Sequence, residues 1–222
     1  IQKLPVVFCI DRAGLVGADG PTHHGLYDVT YLRAIPNMIV SSPMDEQELR
    51  DMMYTSSEYN DGAWAIRYPR GRSTGMAVRE EFETTEIGKG RVVKEGDDIA
   101  ILSFGPIGNY VVEAGKELAQ ERINIGHYDM RYAKPLDTAM IDHVLEKYSR
   151  IITIEDGTKL GGFGSAVAEH VAEKGCGVSV KIMGVPDTIV EHGTQRELHD
   201  EVGIGPEGIV DQVKKSLGVP VV

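Results

Sequence analysis

Apolar residues along this chain arrive in two patterns that alternate. Short, mostly apolar runs cover residues 6–10, 38–42, 64–68, 99–105, 123–130, 151–155 and 178–183, most of them with Gly, Pro, Asn or Asp at one or both ends. Runs of that length read as strands, and the first reads as a buried one. Between them lie stretches with apolar residues at helical spacing, which predict helices over 109–120, 138–147, from the glycines at 161–164 through 172, and over 206–217. A further helix is expected after Pro43, with Ser42 as N-cap, acidic residues in its first turn, and Leu49, Met52 and Met53 on its core face. Strands alternating with helices imply right-handed crossovers and a parallel sheet covered on both faces, so the fold class is α/β.

One stretch breaks this rhythm. Residues 73–98 are polar and rich in Glu, Gly and Lys, with one short possible strand at 90–93. We expect domains over 1–75 and 99–222 with a linker over 76–98. The chain opens only five residues before its first strand. That abrupt start predicts earlier strands upstream, and hence a carboxyl portion of a longer polypeptide.

Composition narrows the function classes. The 222 residues carry 41% hydrophobic and 26% charged side chains, ordinary values for a globular protein. The net charge of -11 argues against a nucleic-acid surface, which needs a basic stripe, so any anion must be held by a few local arginines. No apolar run approaches the roughly 20 residues of a membrane span. Cys9 and Cys176 sit in or beside apolar stretches and read as buried free thiols of a reducing cytoplasm.

The candidate chemistry lies in residues 11–25, where the first strand gives way to a loop carrying Arg12, Asp19, His23, His24 and four glycines. A strand ending in a glycine-rich loop is where open α/β sheets place ligands. Arg12 and Arg70 each leave a strand close to a glycine, where a guanidinium can present its planar fork to a phosphate or carboxylate. His23 and His24 lack the third ligand that zinc needs, and acid–base work beside Asp19 fits them better. Gly161-Gly162-Phe163-Gly164 does not have dinucleotide spacing and follows Glu155-Asp156, which would repel a pyrophosphate; a tight turn is the better reading.

The motifs Asp11-Arg12-Ala13-Gly14, Gly17-Ala18-Asp19-Gly20-Pro21-Thr22-His23, Tyr31-Leu32-Arg33, Tyr59-Asn60-Asp61-Gly62 and Arg67-Tyr68-Pro69-Arg70-Gly71 occur in this order. They are followed by Ile87-Gly88-Lys89-Gly90, Asp129-Met130-Arg131, Lys134-Pro135-Leu136-Asp137, Gly161-Gly162-Phe163-Gly164-Ser165 and Gly193-Thr194-Gln195. Together they resemble the carboxyl portion of the 1-deoxy-D-xylulose-5-phosphate synthases, a thiamine-diphosphate-dependent, transketolase-like family. The resemblance implies a partial pyrimidine-binding parallel-sheet domain followed by a transketolase C-terminal-type α/β domain.

It also implies a transferase that condenses pyruvate with glyceraldehyde 3-phosphate, losing CO₂, as the first step of the non-mevalonate isoprenoid pathway. The cofactors would be thiamine diphosphate and Mg²⁺, and the assembly a homodimer. By the same resemblance Arg12 and Arg70 grip the acceptor's phosphate, Asp19 accepts hydrogen bonds from its hydroxyls, and His23 stands near the reacting carbons. Arg67 is structural and His24 has no assigned role. The cofactor-binding residues, including the family's Gly-Asp-Gly motif and the Glu that activates the aminopyrimidine, are expected upstream of Ile1, with no metal ligand in this chain. These residues alone are then expected to be inactive. The other readings are a transketolase or 2-oxoacid dehydrogenase β-type subunit completed by a separate chain, and a non-catalytic assembly fragment.

Overall fold

In the computed structural model, which describes residues 2–220, two sheets meet edge to loop around shared apolar contacts. The first has the order β1-β3-β2-β7, from β1 (Val7–Ile10), β3 (Trp64–Arg67), β2 (Ile39–Ser41) and β7 (Tyr132–Lys134). The second has the order β4-β6-β5-β8-β9, from β4 (Arg91–Lys94), β6 (Ile125–Asp129), β5 (Ile99–Phe104), β8 (Arg150–Thr158) and β9 (Ser179–Val185). Pairings are parallel except β2 with β7 and β4 with β6. The expected parallel sheet is therefore two mostly parallel sheets, each with one antiparallel edge strand.

The central strand β5 is buried at every position, as a continuous apolar run in a parallel sheet should be. The first strand behaves otherwise. β1 pairs only with β3 among the described residues, and as an edge strand it leaves Phe8 46% exposed and Cys9 exposed. The expectation of a buried strand and a buried Cys9 thiol is corrected here: an apolar run does not reveal which side of it a neighbour covers. Cys176 is half-buried.

Among the described residues seven helices complete the layers: α1 (Asp28–Arg33), α2 (Glu46–Glu58), α3 (Gly108–Gln120), α4 (Thr138–Lys147), α5 (Phe163–Lys174), α6 (Gln195–Glu201) and α7 (Pro206–Leu217). The N-cap of α2 is Asp45, whose carboxylate accepts the Glu48 N–H at 2.8 Å, and not Ser42. Ser42 is buried and donates to the Arg67 carbonyl. Met52 faces the core of α2 as expected, but Met53 is exposed, and the other buried positions are polar: Gln47, Glu48, Asp51, Thr55 and Ser56.

Those polar positions have partners in the expected linker. Gln47 accepts the Arg79 N–H at 2.7 Å, Thr55 accepts the Thr85 N–H at 2.8 Å, and Phe82 stacks on Tyr54. The polar stretch is a strap along α2 whose backbone hydrogen bonds go to helix side chains. At its end β4 joins the second sheet, and Gly90 donates to Asp137, which also caps α4.

The two halves share their interior. Leu15 and Leu26 pack with Ile99, Ile101 and Ile154, while Val29, Val40 and Ala65 pack with Leu102, Phe104 and Phe163. Charge spans the same boundary: Glu48 pairs with Arg131 at 2.7 Å and with Arg91 at 3.0 Å, and Arg91 reaches Asp129 at 3.2 Å. Burial, reinforced by the nearby Glu48, holds the Asp129 carboxyl well above the usual carboxylate range.

Among the described residues the most enclosed guanidinium is that of Arg67, at 2% side-chain exposure. Its guanidinium donates to Asp28 at 2.8 and 3.2 Å and to the carbonyls of Gly25 and Asp156. Removing one partner of such a pair leaves a buried charge uncompensated. Asp28→Ala is expected to lose about 3–5 kcal/mol of stability in urea unfolding. The double replacement Arg67→Met with Asp28→Leu should recover part of it, since no charge is then left unpaired but the carbonyls of Gly25 and Asp156 lose a donor. A loss below about 1 kcal/mol for Asp28→Ala, the level of an exposed pair, would refute the buried-pair account.

Candidate functional site

The carboxyl ends of β1 and β3 lie side by side, with Ile10 opposite Arg67. The pairing continues past both strands, since the Ala13 N–H donates to the Tyr68 carbonyl at 3.0 Å. Arg12 and Arg70 thus leave the same end of the same sheet, although 58 positions apart by their numbers in the sequence. Arg12 sits at φ 56°, a left-handed conformation that turns the chain out of the strand. Its Nη1 pairs with Asp11 at 2.6 Å, while its Nε is enclosed and has no partner among the described residues.

From Gly14 to Gly25 the chain makes a closed loop. Gly14 and Gly25 exchange both backbone hydrogen bonds, at 2.8 and 2.9 Å, and so fix its neck. Two consecutive turns follow the neck, closed by Gly20 N–H to the Gly17 carbonyl and His23 N–H to the Gly20 carbonyl, each at 3.0 Å. Asp19 lies in the first turn and His23 at the end of the second. The Asp19 carboxylate reaches Arg70 Nη1 at 3.2 Å, with both side chains substantially exposed.

The structure thus joins Asp19 to Arg70 and places Arg12 on the adjoining strand exit. It does not join Asp19 to His23: the His23 Nδ1 lies 2.9 Å from the Thr22 hydroxyl. A guanidinium offers a carboxylate a charge-assisted bond, and Asp19 takes it. His24 has a structural place. Its Nδ1 accepts the Val16 N–H, and its Nε2 therefore donates to the Val190 carbonyl at 3.2 Å. Among the described residues no three His, Cys, Asp or Glu side chains converge on a metal position.

The loop is held from its other side by residues more than 140 positions away. Leu15 is fully buried; its N–H donates to Asp156 Oδ1 at 3.0 Å and its carbonyl accepts from Gln195 at 2.9 Å. Gly193 donates to the Gly17 carbonyl, and Thr194 forms a reciprocal capping box with Glu197 that starts α6. The Gly193-Thr194-Gln195 motif is thus a loop clamp built on a helix start. Beside Arg70, a cavity of about 560 Å³ separates the two sheets, lined by Tyr68, Phe104, Tyr110, Asp156 and His199 among others.

The glycine turn at 161–164 is settled by Glu155. Its side chain accepts the N–H groups of Phe163 at 3.0 Å and Gly164 at 2.9 Å, so the N-terminus of α5 is already occupied by a carboxyl group of its own chain. A side chain at Gly162 would overlap that carboxylate. No place remains there for a pyrophosphate.

Comparison with known proteins agrees with this architecture. Residues 1–74 match the family profile described as transketolase, pyrimidine binding domain, and residues 88–209 match transketolase, C-terminal domain. The chain is 52% identical over 99% of its length to a 1-deoxy-D-xylulose-5-phosphate synthase of Cytophaga hutchinsonii, and 50% identical over 97% to one of Parabacteroides distasonis. It spans about a third of the length of these curated relatives (35% and 34%). Among solved structures it is similar to one titled "Split gene transketolase, inactive beta4 tetramer". The TM-score is 0.83 at 30% identity, covering 98% of this chain and 68% of that one.

Burial of Glu155 leads to a pH dependence. Enclosure pushes its carboxyl up to about 7 from an ordinary 4.5, against the pull of the two amides, Arg67 and Arg33. The folded state therefore holds this proton more tightly than the unfolded chain. Its contribution is complete below about 4.5, declines as pH rises towards 7, and is gone above that. Glu155→Gln should flatten this part of the profile, read as urea midpoints at pH 5, 6, 7 and 8. An equal slope in the variant would assign the effect to another group.

Proposed function

The chain belongs to the transketolase family, and from that premise we propose that it carries the acceptor-binding part of a 1-deoxy-D-xylulose-5-phosphate synthase. That enzyme would condense pyruvate with glyceraldehyde 3-phosphate, releasing CO₂, to give 1-deoxy-D-xylulose 5-phosphate for isoprenoid and thiamine synthesis. The observation that carries this reading is the Arg70–Asp19 contact at 3.2 Å, which joins the exit of β3 to the loop that bears Arg12 and His23. A cation, a hydroxyl acceptor and a titratable imidazole on one rim suit a phosphorylated hydroxyaldehyde.

In this reading Arg70 and Arg12 bind the acceptor's phosphate, whose charge competes with Asp19 and Asp11 for the two guanidinium groups. Asp19, freed from Arg70, accepts from the substrate hydroxyl. His23 is free of the loop's core and supplies a proton where the aldehyde oxygen gains charge on carbon–carbon bond formation. Thiamine diphosphate, when bound, supplies the two-carbon nucleophile derived from pyruvate. In this reading the residues that hold its diphosphate and Mg²⁺ lie in other parts of the enzyme. We further propose that the working form is a homodimer in the cytoplasm; no helix among the described residues is long and apolar enough to cross a membrane.

In the full-length enzyme, Arg70→Ala and Arg12→Ala are each expected to raise the KM for glyceraldehyde 3-phosphate about 10- to 100-fold, the worth of a charge-assisted bond. The KM for pyruvate should stay within about twofold. Unchanged acceptor kinetics in both variants would overturn the site assignment. Turnover of two-carbon ketose donors in place of pyruvate would favour a transketolase instead. The 222-residue chain alone is expected not to consume pyruvate, and thiamine-dependent consumption by it would show the active site to be complete here.

A further inference from the structure

The loop that carries Arg12, Asp19 and His23 has one buried amide whose partner is an ionisable side chain from the other half of the chain. Leu15 N–H donates to Asp156 Oδ1 at 3.0 Å, across 141 positions of sequence. The second oxygen of that carboxylate, Oδ2, lies 3.0 Å from His199 Nε2. On its far side, His199 Nδ1 lies 3.3 Å from the Tyr110 hydroxyl, and the two rings meet edge to face. Burial raises the Tyr110 phenol above its ordinary range, so it remains a donor. A Tyr110 O–H donating to Nδ1 leaves Nε2 as the protonated nitrogen, and Nε2–H then donates to Asp156. Each oxygen of Asp156 thus has one partner, and the carboxylate cannot rotate without losing both.

The surrounding backbone is shaped to this carboxylate. Gly14 has φ +78°, and a Cβ there would stand 1.9 Å from Asp156 Oδ2. The Asp156 carbonyl accepts from buried Arg67, which also holds Gly25 at the other side of the loop's neck. Asp156 and His199 are themselves enclosed, with side-chain exposures of 11% and 8%. Neither is an exposed pair of the kind that contributes little.

We propose that Asp156 and His199 are positioning residues for the acceptor loop. His199 orients the Asp156 carboxylate, the carboxylate fixes the Leu15 amide, and Leu15 sets the turns that present Asp19 and His23. Arg12, three residues before Leu15, is set by the same anchor. Both line the cavity beside Arg70, and in this role they act on acceptor binding through the loop backbone. The inference rests on the reading of this loop as the acceptor site.

The test uses the full-length enzyme with His199→Ala, His199→Gln, Asp156→Ala and Asp156→Asn. His199→Gln keeps an N–H donor near the place of Nε2, and Asp156→Asn keeps an acceptor for Leu15. His199→Ala and Asp156→Ala should raise the acceptor KM about tenfold, with the pyruvate KM within about twofold of wild type. His199→Gln should restore most of the loss. A uniform fall in kcat with both KM values unchanged, or a Gln variant as impaired as Ala, overturns the proposal.

Hydrogen exchange supplies the readout that needs no activity. Amides over residues 13–20 should exchange about tenfold faster in His199→Ala, while β5 and α7 keep wild-type protection. Unchanged exchange over 13–20 overturns the proposal even where kinetics shift. If wild-type enzyme fails to condense pyruvate with glyceraldehyde 3-phosphate, the functional reading falls by itself. Faster exchange in the variant would then still establish the anchoring.

Discussion

A buried guanidinium cannot be left half satisfied, and Arg67 is the group around which this chain closes. Its planar fork needs acceptors in fixed directions, and water is excluded. Asp28 supplies two of them, and this puts the start of α1 against the end of β3. Gly25 and Asp156 supply carbonyls, which draw the returning end of the site loop and the middle of β8 to the same point. Four segments from both halves of the chain are thereby fixed by one side chain. The cost of burying that charge without them would exceed what the nearby apolar contacts return.

From that constraint the division of labour among the charges follows. The protein is strongly acidic, yet the acids in and near its cavity are engaged internally. Asp45 caps α2 and pairs with Arg91. Glu46, with hydrogen bonds led by the Thr74 hydroxyl, is held down to about 2 and secures the start of the strap. Glu155 fills the α5 N-terminus, and Asp156 holds Leu15. Arg70 and Arg12, by contrast, are matched only by exposed carboxylates of the loop. An anion arriving at this rim meets cations that are cheaply released, even though the molecule as a whole repels it.

Much of the architecture was legible because its period is strong. The helices over 138–147 and 206–217 have the predicted bounds, and the run at 99–105 contains β5 almost residue for residue. What escaped was short or distant. α1 and α6 have six and seven residues, too few for a stripe to declare itself, and β7 is a three-residue strand defined only by its antiparallel pairing with β2. Ser42 and Asp45 are both good cap residues. Asp45 takes the role because its carboxylate reaches the Glu48 N–H three residues on, while the Arg67 carbonyl claims the Ser42 hydroxyl. Within the site, Arg12, Asp19, His23 and Arg70 stood out by residue type and by neighbouring glycines. Asp156 and His199 did not, and Gln195 entered only within a motif of the resemblance, since their meaning lies in contacts made 43 to 180 positions away.

These facts decide where the preorganisation of the rim resides. The visible contact, Arg70 with Asp19, joins two substantially exposed side chains, and such pairs contribute about 0–1 kcal/mol. It cannot by itself hold a loop of this length in one conformation against the entropy of ordering it. The buried neck can: two backbone bonds between Gly14 and Gly25, both polar groups of Leu15 satisfied, and the Leu15 side chain sunk among Ile101 and Ile154. The exposed side chains are then free to exchange partners while their Cα positions stay fixed. A rim built this way keeps its geometry when the Asp19–Arg70 contact opens. The half of the chain that carries Asp156 and Gln195 therefore contributes to the rim through the backbone it holds still.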